Sequence, residues 1–97
     1  MRTPRPAAPE LGPEFAHGLA DFLDALRVEA GLAHNTLAAY RADLERFLAF
    51  ARARGCPRWK KLGAELVQEH LEELRARGLA APSRARALSA LRSCLRH

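Results

Sequence analysis

From Phe15 onward the apolar residues of this chain recur three and four positions apart, in four stretches separated by Gly31, by Gly55 with Pro57, and by Gly78. That period returns side chains to one face of a helix, whereas a half-buried strand needs strict alternation. The composition agrees. There are two Thr, two Val and no Ile, while Ala, Leu, Arg and Glu, all good helix formers, dominate. A chain of 97 residues is long enough for one core and too short for two. The expected fold class is all-α, a single domain of four amphipathic helices.

The first helix carries Phe15, Leu19, Phe22, Leu23 and Leu26 and ends at Gly31, which suits a left-handed cap. Asn35 is expected to cap the second, because its side-chain oxygen can accept from first-turn amides. Leu37, Tyr40, Leu44, Phe47, Leu48 and Ala51 follow until Gly55 and Pro57 stop it. The third helix starts at Ala64, carries Leu66, Val67, His70, Leu71 and Leu74, and ends at Gly78. In the fourth, Pro82 suits the first turn, and Ala87, Leu88, Leu91, Cys94 and Leu95 form the stripe. Residues 1–14 hold Pro4, Pro6, Pro9 and Pro13 and almost no large apolar side chain, which predicts a flexible Pro-rich tail ahead of a helical domain at 15–97.

Lys and Arg number 16 against 11 Asp and Glu, giving a formal charge of +5 and a pI near 10.2. Such a balance favours polyanionic partners, nucleic acid first and an anionic membrane surface second. The charge is segregated: residues 1–14 are neutral, 83–97 carry Arg84, Arg86, Arg92 and Arg96 with no acid, and the remainder contributes +1. A second basic cluster, Arg52, Arg54, Arg58, Lys60 and Lys61, is offset by Glu65, Glu69, Glu72 and Glu73 of the third helix. Small residues between the arginines of the fourth helix, Ser83, Ala85, Ser89 and Ser93, would let it approach a groove while the guanidiniums meet phosphates. The same arginines also fit an ordinary solvated face. Trp59, set among cations, either stacks on a base or, the favoured alternative, caps the core beneath its loop.

No apolar run approaches the ~20 residues of a membrane-spanning helix, and MRTPRPAAPELGP lacks the apolar stretch of a signal peptide, so a cytoplasmic location is expected. There is no glycine-rich phosphate loop, nucleophile elbow or CxxC pair, and His17, His34, His70 and His97 are dispersed. No chemistry, cofactor or small-molecule substrate is expected of the chain. His70 and Glu73 have the spacing of a carboxylate–histidine metal motif, but one copy supplies too few ligands, so His70 is taken as a partly buried polar residue and no metal as bound. Cys56 and Cys94 form neither a metal knuckle nor a disulfide framework and are expected as thiols. Tyr40, on the apolar stripe, is expected to pack.

Two runs are more specific than the charge: N-T-L-x-x-Y-x-x-D-L from Asn35 to Leu44, and R-x-L-S-A-L-R from Arg86 to Arg92. In this order, with an acidic helix between them, residues 18–97 resemble the N-terminal core-binding (SAM-like) domain of tyrosine recombinases and phage integrases, the Xer type in particular. The resemblance implies a compact orthogonal bundle of four helices that forms one half of a clamp around double-stranded DNA, its second and fourth helices facing the major groove. Carried over residue by residue, it makes Asn35, Thr36, Ala39 and Arg41, with Ser83, Arg84, Arg86, Ser89 and Arg92, the DNA-contact candidates. It also implies neighbouring recombinase subunits in the full-length protein, and a following catalytic domain, outside this chain, that holds the cleaving residues. Tyr40 is not that family's nucleophile. Pro82, where a capping Thr or Ser is usual, and Leu95, where an aromatic is common, depart from the pattern.

The function expected is thus DNA clamping during site-specific recombination and integration. The alternative, from another class, is a helical protein-interaction module that docks a basic partner on the acidic face of the third helix. An amphipathic membrane-surface role for the fourth helix is disfavoured by its Ala-rich, non-aromatic apolar face.

Overall fold

A computed structural model describes residues 11–56 and 58–97. Four helices follow one another: α1 (Pro13–Glu29), α2 (His34–Ala53), α3 (Ala64–Ala76) and α4 (Ala81–Arg96), with a short 3-10 turn, Trp59–Lys61, between α2 and α3. Among the described residues there is no strand, and the all-α class expected from the apolar period holds.

The helix ends follow local chemistry. Gly12 precedes α1 with φ 82°, a backbone conformation that costs an L side chain dearly, and Pro13 opens the helix where its missing N–H is no loss. At the end of α2 the Gly55 N–H donates to the Arg52 carbonyl and the Cys56 N–H to that of Ala51, while Gly55 takes φ 80°. This paired closure satisfies carbonyls that the helix leaves open. The end of α3 repeats it through Gly78 and Leu79, donating to Arg75 and Leu74.

Two expectations about boundaries are corrected. The tail predicted through residue 14 gives way sooner, since Leu11 is buried in the core and α1 starts at Pro13. Burial of the Leu11 side chain and the contacts of Glu14 with Trp59 hold this segment against the core. The remainder of that tail, residues 1–10, lies outside the described residues. Asn35 does not cap α2: the helix begins at His34 with Ala33 as its N-cap and no side-chain cap bond. Asn35 therefore sits inside the first turn, past the position from which its oxygen could meet the open amides. Pro82 falls in the first turn of α4 as expected, with Ala80 as an uncapped N-cap.

The core is assembled from one face of every helix. Phe15, Leu19, Phe22 and Leu23 of α1 meet Leu44, Phe47, Leu48 and Ala51 of α2, Val67 of α3, and Ala90, Leu91 and Cys94 of α4. Side chains of this size, fully buried, each stabilise by about 1.5–3 kcal/mol before the entropy of ordering them is charged. The buried positions of α4 include Ala87 and Ala90, whose methyl groups let that helix lie close to its neighbours, α2 above all. Cys56 and Cys94 are free thiols, and burial pushes the Cys94 thiol up to about 11.

Trp59 closes one end of the core. Its ring stands edge-on to Phe15 with centroids 5.1 Å apart. Its Nε1 donates to the Glu14 carbonyl at 3.0 Å, and its backbone N–H donates to the Glu14 carboxylate at 2.8 Å. The indole is thus committed to the fold and not presented for stacking.

Candidate nucleic-acid interface

A buried carboxylate joins the two helices that the sequence motifs occupy. Asp43 of α2 is 2% exposed, and among the described residues its side chain is paired with Arg86 of α4. Arg86 donates from Nε to Oδ2 at 2.8 Å and from Nη2 to Oδ1 at 2.9 Å, a side-on fork that matches carboxylate geometry. The D-L of the first motif and the leading arginine of the second are therefore one contact. Hydrogen bonding to Asp43, with the carboxylate's charge, raises the Arg86 pKa above its already high value. The Arg86 side chain stays 44% exposed while that of Asp43 is fully enclosed.

This clasp orders the other candidates. Ala39 and Thr36 lie one and two turns before Asp43 on the same strip of α2, Ala39 half-buried and Thr36 exposed. Ser83 and Ser89 lie one turn to either side of Arg86 on α4, Ser83 half-buried and Ser89 exposed. Arg92 follows Ser89 by three positions and is exposed, and Arg96 donates from Nε to the Arg92 carbonyl at 3.3 Å. Ala85, Ser89, Arg92 and Arg96 thus form a solvent-facing strip of α4 without an acid on it.

Two candidates fall elsewhere. Arg84 is two residues from Arg86 and hence about 200° around the helix. It is half-buried and donates from Nη1 to the Leu79 carbonyl, tying the start of α4 to the end of α3. Arg41 lines a groove between α1 and α2 with Asp24, Arg27 and Glu45, on the flank of α2 away from the Asp43 strip. Asn35 is exposed in the first turn of α2. The fourth helix is therefore not a uniform arginine surface: one guanidinium is spent on the fold, one is clasped, and those of Arg92 and Arg96 are exposed along a strip.

Elsewhere some of the charges pair with one another. Arg54 pairs with Glu69 at 3.1 Å and lies 4.7 Å from the Phe50 ring centre, while Glu73 pairs with Arg77 at 2.7 Å. Half of the acidic face of α3 is thereby matched by nearby arginines. His70 is buried between Phe47 and Phe50, at centroid distances of 5.3 and 5.0 Å. Among the described residues no cluster of three or more His, Cys, Asp or Glu is placed to hold a metal ion, and no helix is long and apolar enough to cross a membrane.

The residue that sequence reasoning missed is Asp43. Its signal was present: it stands three after Tyr40 and four before Phe47, so an acid falls on the apolar stripe of α2. A carboxylate there must find a cation or destabilise the helix pair.

Comparison with known proteins agrees with this architecture. The family described as phage integrase, N-terminal SAM-like domain, matches residues 19–97. The chain is 45% identical over 82 residues to the tyrosine recombinase XerD of Pseudomonas aeruginosa, covering 84% of this chain and 27% of that protein. It is 41% identical over 81 residues to XerD of Mycobacterium tuberculosis, covering 76% and 26%, and 38% identical over 72 residues to XerC of Roseiflexus sp., covering 74% and 23%. The chain thus spans about a quarter of the length of the curated relatives it matches. No solved structure matches.

Proposed function

We propose that this chain, which belongs to the phage integrase N-terminal SAM-like domain family, is the DNA-clamping part of a site-specific tyrosine recombinase, gripping duplex DNA during recombination and integration. The observation that carries this is the acid-free strip of α4, Ser89, Arg92 and Arg96, held beside α2 by the Asp43–Arg86 clasp. The first turns of α2 and α4 contain no acidic residue and no side-chain cap, so their open amides and positive helix ends add to the attraction for phosphates. Small neighbours, Ala85 and Ser89, leave α4 slim enough to enter a groove. On this proposal Asn35, Thr36, Ala39, Ser83, Arg86, Ser89 and Arg92 are contact residues, whereas Arg84 acts through the helix start and Arg41 meets the backbone from the flank. Other recombinase subunits on the same duplex and a cytoplasmic place of action follow from the same proposal.

The test is duplex binding as a function of salt. Each phosphate neutralised releases counterions, so log affinity falls linearly with log salt at about 0.9 per contact. Arg92→Glu is expected to weaken binding at least tenfold, and Lys60→Ala with Lys61→Ala to change it less than threefold. Equal losses from the two variants would remove α4 as the contacting helix.

A further inference from the structure

We infer that Arg86 is the residue through which this domain discriminates between base sequences, and that Asp43 is the positioning residue that aims it. The inference rests on the DNA-clamping proposal and deepens it. A guanidinium has five N–H donors in a rigid planar fork. Asp43 takes one from Nε and one from Nη2, which leaves one donor of Nη1 and the second of Nη2 side by side along the outer edge. The Arg86 side chain is 44% exposed while the carboxylate behind it is fully enclosed, so the donors that Asp43 does not take are those available to a groove. Two parallel donors on one planar edge match the O6 and N7 acceptors of guanine in the major groove.

The clasp changes what Arg86 can do in two ways. An unrestrained arginine loses rotamer freedom of about 2 kcal/mol when it is fixed. Here most of that freedom is already gone before DNA arrives, so the outer edge is presented in one direction. The full negative charge of Asp43 also sits against the guanidinium, and the pair is close to neutral as seen from the DNA. A neutral, rigid donor edge contributes little to sequence-independent attraction for phosphates, which follows net charge, and much to a contact that depends on acceptor placement. Arg92, on the same helix with its guanidinium in solvent, is the converse case: mobile, charged, and suited to a phosphate. One helix then holds a reading arginine and an anchoring arginine, distinguished by whether a carboxylate stands behind them.

Selection from a pool of duplexes with a randomised central segment tests this, using the whole chain and two variants. Asp43→Leu with Arg86→Met replaces the buried pair by apolar side chains of similar size, which preserves the α2–α4 contact and is verified by circular dichroism and melting. Asp43→Asn keeps the arginine and removes the charge that aims it. The wild-type chain is expected to enrich a pattern containing a G·C pair. The double variant is expected to lose preference at that pair, with a tenfold to hundredfold drop in affinity for the selected duplex, a drop of less than about threefold for a scrambled one and an unchanged salt slope. Asp43→Asn is expected to blunt the same position without altering the others. If the double variant enriches the wild-type pattern with wild-type affinity, the clasp is only a structural bolt and the inference is wrong. If selected and scrambled duplexes weaken together and the salt slope falls by about one, Arg86 touches phosphate and the inference is equally wrong. A wild-type chain that binds no duplex at low salt would instead remove the DNA-clamping proposal itself.

Discussion

The indole of Trp59 lies so close to Gly18 of α1 that a methyl group on that glycine would fall 2.6 Å from Cε2 and 2.7 Å from Cζ2. Gly18 is a helix-interior residue, where alanine is ordinarily better by about 1 kcal/mol, so its presence reports the ring and not the backbone. Gly18→Ala is expected to destabilise by up to about 2 kcal/mol net, since overpacking of this kind costs about 1–3 kcal/mol against an alanine gain of about 1 kcal/mol. In a Trp59→Ala background the same change should become neutral or stabilising. Urea denaturation of the four proteins of this cycle measures the difference, and a Gly18→Ala effect independent of Trp59 would remove the explanation.

The Asp43–Arg86 pair should respond unequally to loss of either partner. Arg86→Ala strands a fully enclosed carboxylate and is expected to cost about 3–5 kcal/mol. Asp43→Ala leaves a half-exposed guanidinium that can turn to water, so a smaller loss of about 1–2 kcal/mol is expected. Equilibrium unfolding of both single variants gives the order; a reversed order would mean that the Asp43 site admits water.

His70 makes stability depend on acidity. Burial pulls its pKa down from 6.5 to about 4, helped by the Arg46 and Arg77 charges and opposed by Glu73 and Asp43. Above pH 6.5 the ring is neutral in folded and unfolded chain alike and stability does not change on its account. Between 6.5 and about 4 the unfolded chain takes up a proton that the folded one refuses, so stability falls as pH falls, by about 3 kcal/mol in all. Neither ring nitrogen has a hydrogen-bond partner among the described residues. His70→Leu is therefore expected to raise stability at pH 7 by about 1 kcal/mol and to flatten the difference between pH 7 and pH 4. Thermal melts of both proteins across that range decide it, and parallel curves would exclude His70 as the source.

Helix type, number and order were legible in the sequence because each rests on short-range spacing: apolar residues at three and four, glycines at the ends of α2 and α3, and a proline at the start of α4. Boundaries were less so. The start of α1 moved to Pro13 because Leu11 packs into the core, a long-range event that the prolines around it concealed. The cap expected of Asn35 failed because α2 begins two residues earlier, with Ala33 as its N-cap, and nothing in the local pattern separates the two starts.

The proposed contact surface was legible only as a set of names. Spacing places Arg84, Arg86, Arg92 and Arg96 on one helix, and the two motifs single out that helix with α2. What each guanidinium meets is not given by that spacing: a carbonyl five positions back at Leu79 for Arg84, a carboxylate 43 positions away for Arg86, solvent for Arg92. The sequence by itself determined the all-α class, the four helices and the charge along them, since these follow from propensity and period. Only the tertiary structure decided that Asp43 and Arg86 are partners and that the arginines of α4 have different surroundings. Hydrogen bonds and burial arise between residues that folding brings together, and their geometry is absent from the linear order.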